Sequence, residues 1–111
     1  NLPKLVQQIT LNDKVKESRE FAQMVQTSMI RGLRAQNKAV TDRGVKQAPF
    51  VVLIGAEMPS VLAEISFVTN KAEASLLKNE AYKQRIAQSL ADAVLKYQAS
   101  LKKITTVAVS K

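Results

Sequence analysis

Apolar positions fall at helical spacing in three stretches of this chain and as near-continuous runs in two more. Leu2, Leu5, Val6 and Ile9 follow the i, i+3, i+4, i+7 rule of a short amphipathic helix, and Asn1 and Pro3 suit its first turn. Asn12 and Asp13 are expected to interrupt that helix and cap a second one. There Phe21, Val25, Met29 and Leu33 recur at every fourth position, with Met24 and Ser28 alongside. This stripe reads as core packing, and the helix is expected to fade after Arg34, near Asn37.

Thr41-Asp42-Arg43-Gly44 carries turn chemistry. FVVLI, 50–54, predicts a short strand, Gly55 to Ser60 a connector, and Val61 to Val68 a second strand. Runs apolar on both faces suggest strands covered on both sides. A six-residue connector is too short for a parallel crossover, so neighbouring strands here would be antiparallel. Asn70 and Glu73 have the spacing of a capping box and open a short helix through Leu77. After Asn79 a long helix is predicted from the stripe Tyr82, Ile86, Leu90, Val94 (with Ala93), Tyr97 and Leu101. ITTVAVSK at the end is β-prone and isolated, and is expected to be a mobile tail or an edge strand.

A two-stranded sheet is marginal alone, whereas these helices would cover a larger one. The expected fold class is therefore α/β: the C-terminal portion of a mixed-sheet, three-layer domain with helices on both faces, here with about two strands and three to four helices.

Composition narrows the chemistry. The chain of 111 residues contains no cysteine and no histidine. Disulfides and thiolate sites are excluded, and the commonest zinc ligand and general base are missing. The longest uncharged apolar run, Pro49 to Ala56, is too short to span a bilayer. Net charge is +8, which favours polyanionic surroundings such as acidic cell-wall polymers. Nucleic acid is not expected as a partner, since the basic residues are scattered and neither an aromatic-rich stretch nor a glycine-rich phosphate loop is present.

Against this background Glu64 stands out, a carboxylate in the centre of the apolar run MPSVLAEISFVTN with no basic residue in that stretch. A buried carboxylate shifts its pKa or finds a cation. Read from the residues alone, Glu64 is a strand carboxylate paired with a distant Lys or Arg, or a group facing a metal. Ser60 and Ser66 lack a histidine to activate them. Met58 and Pro59 are expected to shape the turn before the strand, Asn70 to cap a helix, and Arg19 to pack or pair on a helix surface; Arg43 stays open.

In series, ESREFAQMVQ, DRGVKQAPFVVLIG, MPSVLAEISFVTN and LLKNEAYKQRIAQSLADAVLKY resemble the zinc-dependent N-acetylmuramoyl-L-alanine amidases, specifically the C-terminal half of the Amidase_3 catalytic domain. The resemblance covers roughly residues 2 to 98. It implies residues 1–98 as part of that domain and 99–111 as a tail. It further implies hydrolysis of the amide between N-acetylmuramic acid and L-alanine in peptidoglycan, in the periplasm or cell envelope. The implied cofactor is Zn2+, whose two histidines and glutamate lie in motifs upstream of anything in this chain, so the N-terminal half of the same domain is an implied partner. Glu64 matches the family's second glutamate, the general base. Glu17, Glu20, Glu57, Glu73 and Glu80 lie in segments unlike the ligand motif and receive no zinc role. Many relatives carry a basic residue where this chain has Ile54. The alternative reading is a non-catalytic module, derived from an amidase, that binds anionic wall polymers.

Overall fold

The computed structural model describes residues 2–47, 53, 55–67 and 69–109, with side chains over 13–47, 53, 55–67 and 69–102. Helix α1 is Leu2–Arg34, α2 is Lys71–Leu77 and α3 is Glu80–Val109. No strand occurs among the described residues.

Helix α1 is continuous through Asn12 and Asp13, where a break was expected. Both residues are only mediocre helix formers, costing fractions of a kcal/mol, roughly 0.7 at most, whereas restarting a helix means repeating a costly nucleation. Arg31 and Arg34 occupy the last turn of α1, where cations oppose the partial negative charge of the C-terminal carbonyls. Helix α3 likewise runs on to Val109, so the expected tail or edge strand after Lys103 is corrected to helix. β-Branched residues there cost little once a long helix is elongating.

The two long helices lie antiparallel. Gln36 Nε2 reaches the Ala81 carbonyl at 3.5 Å near one end. Phe21 and Tyr97 stack near the other, ring centroids 4.9 Å apart and planes inclined by 28°. Between them Val25, Met29, Leu33, Tyr82 and Ala93 form the core, joined by Phe21, Val40, Val61, Ile65, Leu76, Ile86 and Leu90. Both stripes therefore pack as expected, except that Val94 and Leu101 are exposed and Ala93 takes the buried place. Eleven residues bring a straight helix back to within about 20° of its starting direction, so Ala93, eleven after Tyr82, returns to the seam.

Asn70 caps α2, accepting from the Glu73 N–H at 3.1 Å. Asn79 does the same for α3 through the Tyr82 N–H at 3.0 Å. The capping box is only half realised. The Glu73 carboxylate accepts from the Phe67 N–H at 3.0 Å, because the chain folds back before the cap and presents that donor first.

From α1 the chain returns as two legs. Arg34 Nε donates to the Val40 carbonyl (3.2 Å), Gln26 Nε2 to Asp42 (2.6 Å) and Arg19 to Gln47 Oε1 (2.9 Å). These contacts recede along α1, so residues 40–47 run antiparallel to it. The second leg, 60–67, starts where the Ser60 N–H meets Ser18 Oγ at 3.0 Å and climbs back with Val61 and Ile65 against the core. This leg is where the second strand was expected, and its described residues form no ladder. A strand exists only by pairing, and no backbone hydrogen bond joins the two legs among the described residues. The first expected strand, 50–54, falls outside the described residues save Leu53, which forms part of a single tight turn closed by the Ala56 N–H on its carbonyl at 3.3 Å.

One layer is therefore well packed and the other open. Met58, Leu62 and Phe67 are exposed, at 71%, 45% and 54%, and among the described residues no large side chain is fully buried. The radius of gyration is 17.0 Å, against about 13 Å for a compact domain of this length.

Candidate functional site

The open face is a trough between α1 and the two legs, lined among others by Ser18, Met29, Arg43, Ser60, Glu64 and Phe67. Its floor is α1 and its wall is the second leg. Val61 and Ile65, four apart, pack on the core, whereas Leu62, Ala63 and Glu64 between them are exposed.

Glu64 is consequently exposed, not buried among apolar walls as the sequence predicts. The run has the apolar character of a strand covered on two sides, and only one side is covered here. Among the described residues Glu64 has no hydrogen-bond or ion-pair partner, so the alternative of a structural ion pair finds no cation. It lines the trough as a free carboxylate.

The other candidates are engaged elsewhere. Ser60 is held by its backbone on Ser18, and Asn70 is a helix cap. Pro59 is half-buried before the leg and Met58 projects beside it. Arg19 binds Gln47 on the surface. Glu80 pairs with Lys83 at 2.8 Å, and Glu73 holds Phe67. Glu17 and Glu20 lie near Tyr97, whose hydroxyl pKa is raised by burial first and by these two carboxylates second. Ile54 lies outside the described residues.

Two features were invisible in the sequence. The backbone of Phe67 is held on both sides, its N–H by Glu73 and its carbonyl by the Asn70 N–H at 3.0 Å. Arg43 lies over the Phe67 ring, 4.6 Å from its centroid. The neighbouring Asp42 accepts from Gln26 and, at 2.8 Å, from the Gly44 N–H. Those two donors, the Gln26 amide foremost, hold its carboxyl below the usual value. A spacing of 24 residues between Arg43 and Phe67 carries no periodic signal; Asn70 and Glu73 alone had announced themselves, as the two halves of the capping box.

The donor set for a metal is wanting. The chain has no histidine or cysteine, and among the described residues no three carboxylates gather into a group able to hold an ion. These residues do not make a zinc site.

Comparison with known proteins decides the lineage. The profile of the N-acetylmuramoyl-L-alanine amidase family matches residues 6–96. The chain belongs to this family. It is 40% identical over 80 residues to the N-acetylmuramoyl-L-alanine amidase LytC of Bacillus subtilis, a match covering 72% of this chain and 15% of that protein. It is 47% identical over 55 residues to the N-acetylmuramoyl-L-alanine amidase AmiA of Escherichia coli, covering 50% of this chain and 19% of the relative. Over 80 residues it is 36% identical to the uncharacterized protein YqiI of Bacillus subtilis, covering 72% of this chain and 36% of the relative. The chain thus spans between 15% and 36% of the length of these amidase-family relatives. No solved structure matches it significantly.

Proposed function

We propose that this chain is the later part of a peptidoglycan amidase catalytic domain and that Glu64 is its general base. The observation that supports this most directly is a free carboxylate lining an open trough in a chain of the amidase family. Glu64 takes a proton from the water that adds to the amide carbonyl and returns it to the departing alanine nitrogen. Such transfers by a positioned carboxylate contribute on the order of a hundredfold or more. The trough exposes apolar side chains, basic groups and the carboxylate of Glu64, unpartnered among the described residues, the surface expected where the remainder of a domain completes a site.

The family's zinc requirement is met from outside these residues, since they offer no ligand set; the preceding half of the domain is its proposed source. The 111-residue chain alone is therefore inactive. Peptidoglycan is the proposed substrate and the cell envelope the proposed location, after relatives described as N-acetylmuramoyl-L-alanine amidases and cell wall amidases. No described helix is long and apolar enough to cross a membrane.

The test is digestion of purified peptidoglycan by the complete protein, with mass spectrometry of the soluble products. Stem peptides with a free N-terminal alanine are expected. Their absence, with retention of the protein on the wall material, would favour instead a module that binds anionic polymers through its +8 charge.

A further inference from the structure

We infer that Arg43, seated on the Phe67 ring, forms an anion subsite in the same trough as Glu64 that takes a carboxylate of the substrate peptide close after the scissile alanine; this rests on the amidase reading above. Arg43 and Glu64 line the same trough. Arg43 is exposed, and among the described residues no carboxylate pairs with it. Asp42, the acid nearest in sequence, is committed to Gln26 and Gly44. Resting over an aromatic ring occupies the face of the guanidinium and leaves its N–H edges available for a bidentate carboxylate.

The platform is built rather than incidental. Both backbone groups of Phe67 are held by the start of α2, which fixes the ring that carries Arg43. On the other leg, Gly44 adopts a left-handed φ of 75°, open to glycine without the penalty a side chain would meet, and its N–H closes the turn onto Asp42 at 2.8 Å. Reach agrees with chemistry. Phe67 follows Glu64 by three residues, a span of at most about 10 Å. A carboxylate one to two residues beyond the scissile amide lies roughly 4–8 Å from it, and hydrogen bonds at both ends make up the difference. The partner is thus an acidic peptide. A nucleic acid would need exposed stacking surfaces, and the one exposed ring among the described residues, Phe67, is already covered by Arg43.

The experiment compares a muramyl peptide bearing a free α-carboxylate on the residue after alanine with the same peptide amidated there. In the complete enzyme, Arg43→Gln is expected to raise KM for the acid peptide roughly tenfold or more, the loss of a hydrogen bond between charged groups. kcat and the KM for the amide are expected to change little. Arg43→Lys, which keeps the charge without the fork, should recover part of the loss. Equal effects on both peptides, or a fall in kcat alone, would overturn the subsite. Titration of the two peptides into the 111-residue chain, followed through the Gly44 and Phe67 amide resonances, reads it without turnover. The acid peptide should shift both resonances in the native chain and not in Arg43→Gln, and identical acid and amide titrations would overturn it. An enzyme that cleaves neither peptide sinks the amidase reading instead, and the titration then decides the subsite alone.

Discussion

Gly32 of α1 lies so close to Ser89 of α3 that a Cβ on the glycine would overlap the serine hydroxyl and come within 3.3 Å of the serine Cβ. Ser89 is itself buried and turns its hydroxyl back onto the Arg85 carbonyl at 2.8 Å. Two small residues thus let the two long helices approach closely at this point. Glycine costs helix stability relative to alanine, by roughly 0.5–1 kcal/mol, and here it is retained for the approach it permits.

Gly32→Val should therefore destabilise the chain by about 2 kcal/mol, the usual scale of overpacking, read from the shift of the chemical unfolding midpoint. In a Ser89→Gly background the same substitution should cost clearly less, because the two sites share one contact. Equal costs in both backgrounds would show that the helices do not meet there.

Tyr97 and Tyr82 should respond in opposite ways to loss of their hydroxyls. The Tyr97 hydroxyl is buried with no hydrogen-bond partner among the described residues, so Tyr97→Phe removes an unmet polar group and should leave stability unchanged or raise it by up to about 1 kcal/mol. The Asn37 side chain acts on the Tyr82 hydroxyl against the pKa rise that burial causes, so Tyr82→Phe loses a polar contact and should cost up to about 1 kcal/mol.

The same two groups predict alkaline behaviour. Burial is the main cause raising both hydroxyl pKa values above the ordinary 10.0. A folded pKa above the unfolded one means that this stability is intact below about pH 10 and is lost as pH rises through the folded value. Unfolding midpoints should therefore fall above about pH 10, and the double Phe variant should lose most of that dependence. A native chain with flat stability to pH 11 would contradict it.

Much of the helical scaffold was legible in the sequence. Phe21, Val25, Met29 and Leu33 announced one half of the core and Tyr82, Ile86 and Leu90 the other, and Asn70 announced a cap, because these signals are local and periodic. Tertiary context governs the rest. The run from Val61 to Val68 has the composition of a covered strand, yet pairing and cover come from neighbours that composition does not specify. That is also why Glu64 was expected in a buried setting and is found exposed. The Gly32–Ser89 and Arg43–Phe67 contacts join distant positions whose spacing says nothing of their meeting.

Asp42 provides an acid-side test of the first leg. Its folded pKa lies below the ordinary 3.8, through the Gln26 amide first and the Gly44 N–H second. The contribution of Asp42 to holding this leg on α1 is therefore present above about pH 4 and lost as pH falls through the lower, folded value. The Gly44 amide resonance should titrate with a midpoint below 3.8, and Asp42→Asn should abolish that titration. A midpoint at or above the ordinary value would mean that Gln26 and Asp42 do not hold each other in solution.

The most direct measurement of the central claim is turnover of peptidoglycan by the complete protein carrying Glu64→Gln. That change preserves shape at an exposed position and removes only the ability to take up a proton. Hydrolysis is expected to fall on the order of a hundredfold or more, with helical content and bound zinc unchanged. Hydrolysis within a few-fold of the native protein would contradict the role assigned to Glu64.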